Sequence, residues 1–197
     1  MKIVENSYET IYEIKKSTFL SYLTPMKEFY CLHTKLKEKH QKAAHIVWAY
    51  RYLNEHNQVV ENSSDDGEPK GTSAPPILNV MRGFEIIEAG ILVVRYFGGI
   101  KLGTGGLVRA YGTSAKIVLD IAQLKIYETK EEFTFSCNYF LVRNLEHFLN
   151  KENIVTYERV FDSQEVLWKM EITKKQKEAL LCFLEKFIQA KSVNILE

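Results

Sequence analysis

Along the second half of the chain the spacing of apolar residues alternates between two periods, and each change of period marks a change of element. Phe133, Phe135, Cys137 and Tyr139 sit at every second position, as in a strand with one buried face, whereas Leu141, Leu145, Phe148 and Leu149 recur at helical spacing. A strand over 154–161, a turn at Asp162-Ser163 and renewed alternation at Val166, Trp168, Met170 and Ile172 predict a hairpin. Thr173 with Gln176 has the form of a capping box, and the helix it opens carries Leu180, Leu184, Phe187 and Ile188 on one stripe. A short strand over 192–196 completes the order β-α-β-β-α-β, a ferredoxin-like pattern with its helices on one face of an antiparallel sheet.

The first half is less regular. Strands are predicted over 8–14 and 18–23, and Thr24-Pro25 opens a helix with Phe29, Leu32 and Leu36 on its apolar face. A strand rich in aromatic and β-branched residues over 46–53 leads into a polar stretch, 54–71, expected as a long loop. A short helix over 75–81 and a buried strand over 90–97 follow. Leu107, Ala110, Tyr111, Ser114, Ala115, Val118, Leu119 and Ala122 then keep the 3.6 period closely, so a helix is expected after the glycines. The chain is thus predicted to be α+β with two domains, 1–124 and 125–197.

Its 197 residues suffice for a sizeable core without disulfide or metal staples. Cys31, Cys137 and Cys182 are far apart, form no CxxC pair, and are expected as free thiols filling core space. The first ten residues contain no apolar signal core, and the best apolar run is cut by Arg95 well short of a bilayer's width, so a cytoplasmic protein with no membrane partner is expected. The net charge is +1, with 15 basic and 13 acidic residues up to Leu124 and 11 against 12 after it. Whole-domain charge therefore gives no support for strong non-specific nucleic-acid binding.

Chemistry concentrates in two stretches, SDDGEPKGTSAPP from Ser64 and RYFGGIKLGTGGLVRAYG from Arg95. In the second, Arg95, Gly98, Gly99, Lys101, Gly103, Thr104, Gly105 and Gly106 lie between a buried strand and a helix start. Free amides there can meet an anion, and the helix dipole adds ~0.3–1 kcal/mol of preference for negative charge. Gly105, Arg109, Gly112 and Lys116 share the helix face opposite the apolar stripe. The spacing is neither a Walker loop nor a secure dinucleotide fingerprint, and glycines that merely turn the chain would look the same. Asp65, Asp66 and Glu68 are candidate oxygen ligands for magnesium or an acid–base pair, but the loop lacks calcium-hand spacing and Asp in a glycine turn more commonly satisfies its own backbone. His45 is a candidate base held by Asp65 or Asp66, but with no nucleophile in a recognised setting a satisfied structural histidine is the commoner outcome. Tyr96, Phe97 and Tyr111 are candidate base-stacking residues, although aromatics at strand and helix spacing are more often core. No catalytic residue, metal ligand set or cofactor is assigned.

With His45 to Tyr50, SDDGEP followed by Gly71-Thr72, RYFGG at Arg95 and LGTGGLVRAYG ending at Gly112, the chain resembles the YigZ/IMPACT family. The resemblance implies an amino-terminal α/β sandwich similar to the second domain of ribosomal protein S-five and domain four of elongation factor G. It also implies a carboxy-terminal ferredoxin-like domain similar to domain five of that factor. One departure is GTSAPP where the family usually reads GTAGxP, so Ala74 replaces a glycine. Eukaryotic members act in translational control under stress by binding a regulator of an initiation-factor kinase. The resemblance names a translation-associated neighbourhood and not a reaction; with it, the residues lead to the expectation of a non-enzymatic protein that docks RNA phosphate, a ribosome or a translation-regulating protein through Lys101, Arg109, Lys116 and the glycine loop. The alternative is a magnesium-dependent enzyme acting on a phosphorylated small molecule, and the two motifs would have to face one pocket for it to hold.

Overall fold

The structure, a computed structural model, describes residues 1–196. It divides into two compact units, Met1–Tyr127 and the segment from Glu128 onward. In the first unit the elements run β1 (Lys2–Ile3), β2 (Tyr8–Ile14), β3 (Ser17–Pro25), α1 (Met26–Lys39), β4 (His45–Leu53), β5 (Val59–Ser64), α2 (Ala74–Gly83), β6 (Ala89–Tyr96), α3 (Thr104–Asp120) and β7 (Lys125–Ile126). Five strands form an antiparallel sheet in the order β2-β3-β6-β4-β5. β6 is central and almost wholly apolar because both of its faces are covered. Leu92 and Val94 face α1 with Phe29 and Leu36, whereas Ile91 and Val93 face α2 and α3 with Ile77, Met81, Leu107, Tyr111 and Val118.

The 54–71 stretch is not one long loop, because Val59–Ser64 is a strand paired with β4 from Trp48↔Ser64 to Leu53↔Val59. Its polarity reflects an edge position whose outer side meets solvent. Glu61 holds the edge by accepting from Arg51 on β4 and Arg82 on α2. The unit also extends beyond Leu124, since β7 pairs with β1 in the register Lys2↔Ile126. Ala74 is the first residue of α2 and is not among the residues with positive φ, so the departure from glycine introduces no backbone strain there.

The second unit contains β8 (Lys130–Cys137), a single 3-10 turn (Tyr139–Leu141), α4 (Val142–Lys151), β9 (Tyr157–Phe161), β10 (Val166–Thr173), α5 (Lys174–Gln189) and β11 (Val193–Leu196). The antiparallel order β11-β8-β10-β9 is the ferredoxin-like arrangement. Phe133, Phe135, Trp168 and Met170 on the sheet pack with Leu145 and Leu149 of α4 and Leu180 and Leu184 of α5. The Thr173–Gln176 capping box is formed in both directions. The expectation of three core cysteines fails for two: Cys137 is buried, but Cys31 and Cys182 are exposed on polar helix faces. Among the described residues, no helix is long and apolar enough to cross a membrane.

Candidate anion-binding site

Pairing of β4 with β6 sets His45 opposite Arg95, and the SDDGEP turn folds across that end of the sheet toward the start of α3. Together these elements enclose a pocket of about 540 Å³ lined by Ala44, His45, Glu68, Pro69, Arg95, Phe97, Leu107 and the loop from Lys101 to Thr104. The acidic and glycine-rich motifs thus face one concavity, as an enzyme reading requires.

Their side chains have more particular roles. Asp65 accepts from the amides of Gly71 at 2.6 Å, Ser73 at 3.0 Å and Ala74 at 2.8 Å, serving as the cap that the first turn of α2 lacks from its own N-cap residue. Asp66 accepts from the Ile46 amide at 2.7 Å and has a positive φ of 46°, tying the turn to β4. Both carboxylates accept from backbone amides, the part that Asp in a glycine turn commonly plays. The described residues contain no cluster of three side chains suited to a metal ion. His45 is held by backbone and not by the Asp65 or Asp66 carboxylate: Nδ1 bonds at 2.7 Å to the Asp66 carbonyl. A carbonyl only accepts, so Nδ1 carries the proton and Nε2 is the ring atom left to face Glu68, 3.9 Å away.

Glu68 is the hub. Its side chain is buried, and Oε1 accepts from Arg95 Nη1 at 2.5 Å and from the Tyr111 hydroxyl at 2.7 Å. Burial, the adjacent Glu68 charge and the hydrogen bond to it push the Tyr111 pKa far above its ordinary value of 10, so the phenol stays a donor. Tyr111 is fully buried, and the Tyr96 hydroxyl is engaged with His40 Nδ1 at 2.8 Å. Neither is placed to stack on a base, and both serve the packing that aromatics at strand and helix spacing more often serve. Phe97 remains half exposed at the pocket, with the Arg95 guanidinium 5.7 Å from its ring centroid.

The glycines divide by purpose. A Cβ on Gly98 would lie 2.0 Å from the Lys16 carbonyl group, so this residue is glycine to admit the β2–β3 turn and not to line the pocket. Gly99 and Gly103 have positive φ, 85° and 73°. Gly103 is the N-cap of α3 and offers no side chain, and the amides of Thr104, Gly105 and Gly106 have no protein acceptor among the described residues. Arg109 curls back so that Nη1 lies 3.9 Å from where a Gly105 Cβ would be, placing its charge beside the same turn. Lys116 is exposed on α3 about 10 Å farther along the axis. Gly112 faces Pro76 of α2 rather than open solvent.

Arg95 combines burial, at 6% exposure, with an Nε–H that finds no partner. Sequence reasoning missed that Tyr111 belongs to the hub and that Ala44, Pro69, Leu102 and Leu107 give the pocket an apolar wall. The available signal was Arg95 itself, a charge inside a two-sided buried strand, which demands a carboxylate partner.

Residues 15–119 match the family model described as the Impact N-terminal domain. The chain belongs to the IMPACT family. An IMPACT family member from Haemophilus influenzae is 36% identical over 145 residues, covering 72% of this chain and 70% of that protein. The Bacillus subtilis family member YvyE is 31% identical over 210 residues, covering 93% and 96%. A solved crystal structure described only as a hypothetical protein matches with a TM-score of 0.73 and 27% identity, over 99% of this chain and 95% of the other. The two-unit fold is therefore shared with a solved structure.

Proposed function

We propose that this IMPACT-family chain is a non-enzymatic, translation-associated protein that docks RNA through phosphate, with the start of α3, Lys101 and Arg109 as the contact and Lys116 extending it. The observation that carries the reading is the set of three uncapped amides at Thr104, Gly105 and Gly106, beside a pocket that Lys101 also lines. Helix dipole, free donors and side-chain cations act there in the same direction. The overall charge of +1 is no obstacle to a local basic face. The translation assignment comes from the family's motifs. The magnesium-enzyme alternative has the shared pocket in its favour, but two of its three supposed ligands, Asp65 and Asp66, have structural work as acceptors of backbone amides.

Titrating the protein into labelled single-stranded RNA at several salt concentrations tests the reading. Affinity is expected to fall with salt. The combined Lys101→Glu and Arg109→Glu variant should bind more weakly, its log–log salt slope shallower by about 1.4 for two lost contacts. Equal binding by the two proteins would remove this face as the RNA site, and capture of one protein partner after nuclease treatment would assign it to protein docking.

A further inference from the structure

We infer that the outer edge of β9 takes an extended peptide segment of another protein as an added strand, with a lysine or arginine of that segment facing Glu158; this is independent of the RNA reading above. β9 closes one side of its four-stranded sheet, and none of the described strands pairs with its outer edge. The Asp162 amide donates to the Glu165 carbonyl at 2.9 Å, which sets the alternation of the hairpin. Glu158 and Val160 therefore turn their backbone groups toward Lys169 and Leu167 of β10, whereas Tyr157, Arg159 and Phe161 turn theirs outward. Those outward amides and carbonyls have no backbone partner among the described residues. Exposed edges are commonly guarded by lysine, proline or a bulge. YERVF pairs with β10 in unbroken register, has neither residue, and leaves Val160 60% and Phe161 57% exposed.

Opposed residues in a ladder share a face, so the side chains beside this edge define what an added strand must carry. On the face away from the helices, Glu132 stands directly opposite Glu171, and Glu158 opposite Lys169. Lys169 reaches Glu132 at 3.3 Å, which leaves three carboxylates to one ammonium around a concavity of about 540 Å³ that these four residues line with Val155 and Tyr157. A cation opposite Glu158 relieves that excess. On the helix face Arg159 is already engaged, paired with Glu146 and 5.4 to 5.7 Å from the ring centroids of Tyr157, Phe161 and Trp168. Val160 and Phe161 ask for apolar neighbours.

A second copy of β9 does not meet these requirements. Antiparallel pairing about a two-fold axis brings residues of equal parity together, so centring on Glu158, Arg159 or Val160 sets Glu158 against Glu158, Arg159 against Arg159, or Glu158 against Asp162. Each register puts like charges directly opposite, which is destabilising. The charge pattern selects a foreign, basic strand.

The probe is a fluorescein-labelled synthetic peptide, Thr-Val-Val-Thr-Lys-Tyr-Thr, compared with the same peptide carrying glutamate for lysine, each added to the full chain. Run antiparallel, its Val-Val-Thr-Lys-Tyr core meets Phe161, Val160, Arg159, Glu158 and Tyr157 in turn. Fluorescence anisotropy should show the lysine peptide binding about fivefold more tightly, and Glu158→Lys should reverse the preference. Hydrogen exchange should slow at the outward amides of Tyr157, Arg159 and Phe161 in the complex, while those of Glu158 and Val160, already paired with β10, change little. Phe161→Pro and Phe161→Ala both lose the ring, but only the first also loses an outward amide, at an edge position that tolerates proline. Their melting temperatures should agree while the proline variant binds severalfold more weakly. Failure of the lysine peptide to bind, equal affinity for both peptides, or binding without slowed exchange along β9 would overturn the inference. A dimer in sedimentation that Phe161→Pro abolishes would also overturn it, by assigning the edge to a second copy. None of these readouts depends on RNA.

Discussion

Glu68 holds a charge inside the molecule only because Arg95 and Tyr111 meet it there, and removing the carboxylate leaves a buried guanidinium with no counter-ion. Breaking a buried pair from one side costs about 3–5 kcal/mol, so Glu68→Ala should unfold at markedly lower denaturant than the wild type. Glu68→Gln, which still accepts from the Tyr111 hydroxyl, should lose less. Equal midpoints for Glu68→Ala and the wild type in a urea titration would contradict the hub. Asp65→Ala removes three acceptor contacts at the start of α2 and should cost ~1–2 kcal/mol in the same assay. Residue types made this motif visible in the sequence but did not assign its roles. Three neighbouring carboxylates look alike until their partners are known, and those partners, Ile46, Arg95, Tyr111 and the amides from Gly71 to Ala74, come from four different places in the chain.

The elements were legible where one physical signal dominated. The 3.6 period of α3, the capping box of α5 and the alternation of β8 and β10 each reflect one face buried and one in water, which sequence records directly. β5 was not legible, because an edge strand made of VVENSS is held by contacts from outside itself. Glu61 supplies much of that support. Its hydrogen bonds with Arg82 and then Arg51 hold its carboxyl below the ordinary 4.5 despite partial burial. The unfolded carboxyl takes up a proton first, so this contribution is full above pH 4.5 and is lost as pH falls through the lowered value. Glu61→Gln should raise amide exchange in Val59–Ser64 by roughly fivefold at neutral pH, corresponding to about 1 kcal/mol. The two proteins should converge in acid. Unchanged exchange at neutral pH would mean that backbone pairing alone keeps β5 in place.

At the scale of the whole molecule, the apolar clusters respect the division of the chain. Those built on β6 draw on residues up to Leu124, and the one built on Phe135 and Trp168 draws on residues from Phe133 onward. Each unit has its own core, so the first, expressed as residues 1–127, should fold cooperatively alone. Its stability should also depend on pH near neutrality. His33 and His40 lie beside the α1-covered face of the sheet, each with a buried Nε2 that has no partner among the described residues. Desolvation, reinforced by Lys37 at His33 and Lys39 at His40, lowers both below the ordinary 6.5, although Asp66 partly opposes the shift at His33. In the unfolded chain both rings protonate as pH falls through 6.5, whereas the folded rings resist until a lower pH. The unfolded state then binds more protons and stability falls with pH across that window. Above 6.5 the curve should be flat with respect to these two groups. Thermal melts of residues 1–127 between pH 7.5 and 5 should show the decline, and the combined His33→Gln and His40→Gln variant should flatten it. Since Glu61 acts only below this range, a decline of equal slope in the variant would show that other groups carry it and that these two histidines do not set the acid sensitivity of the sheet.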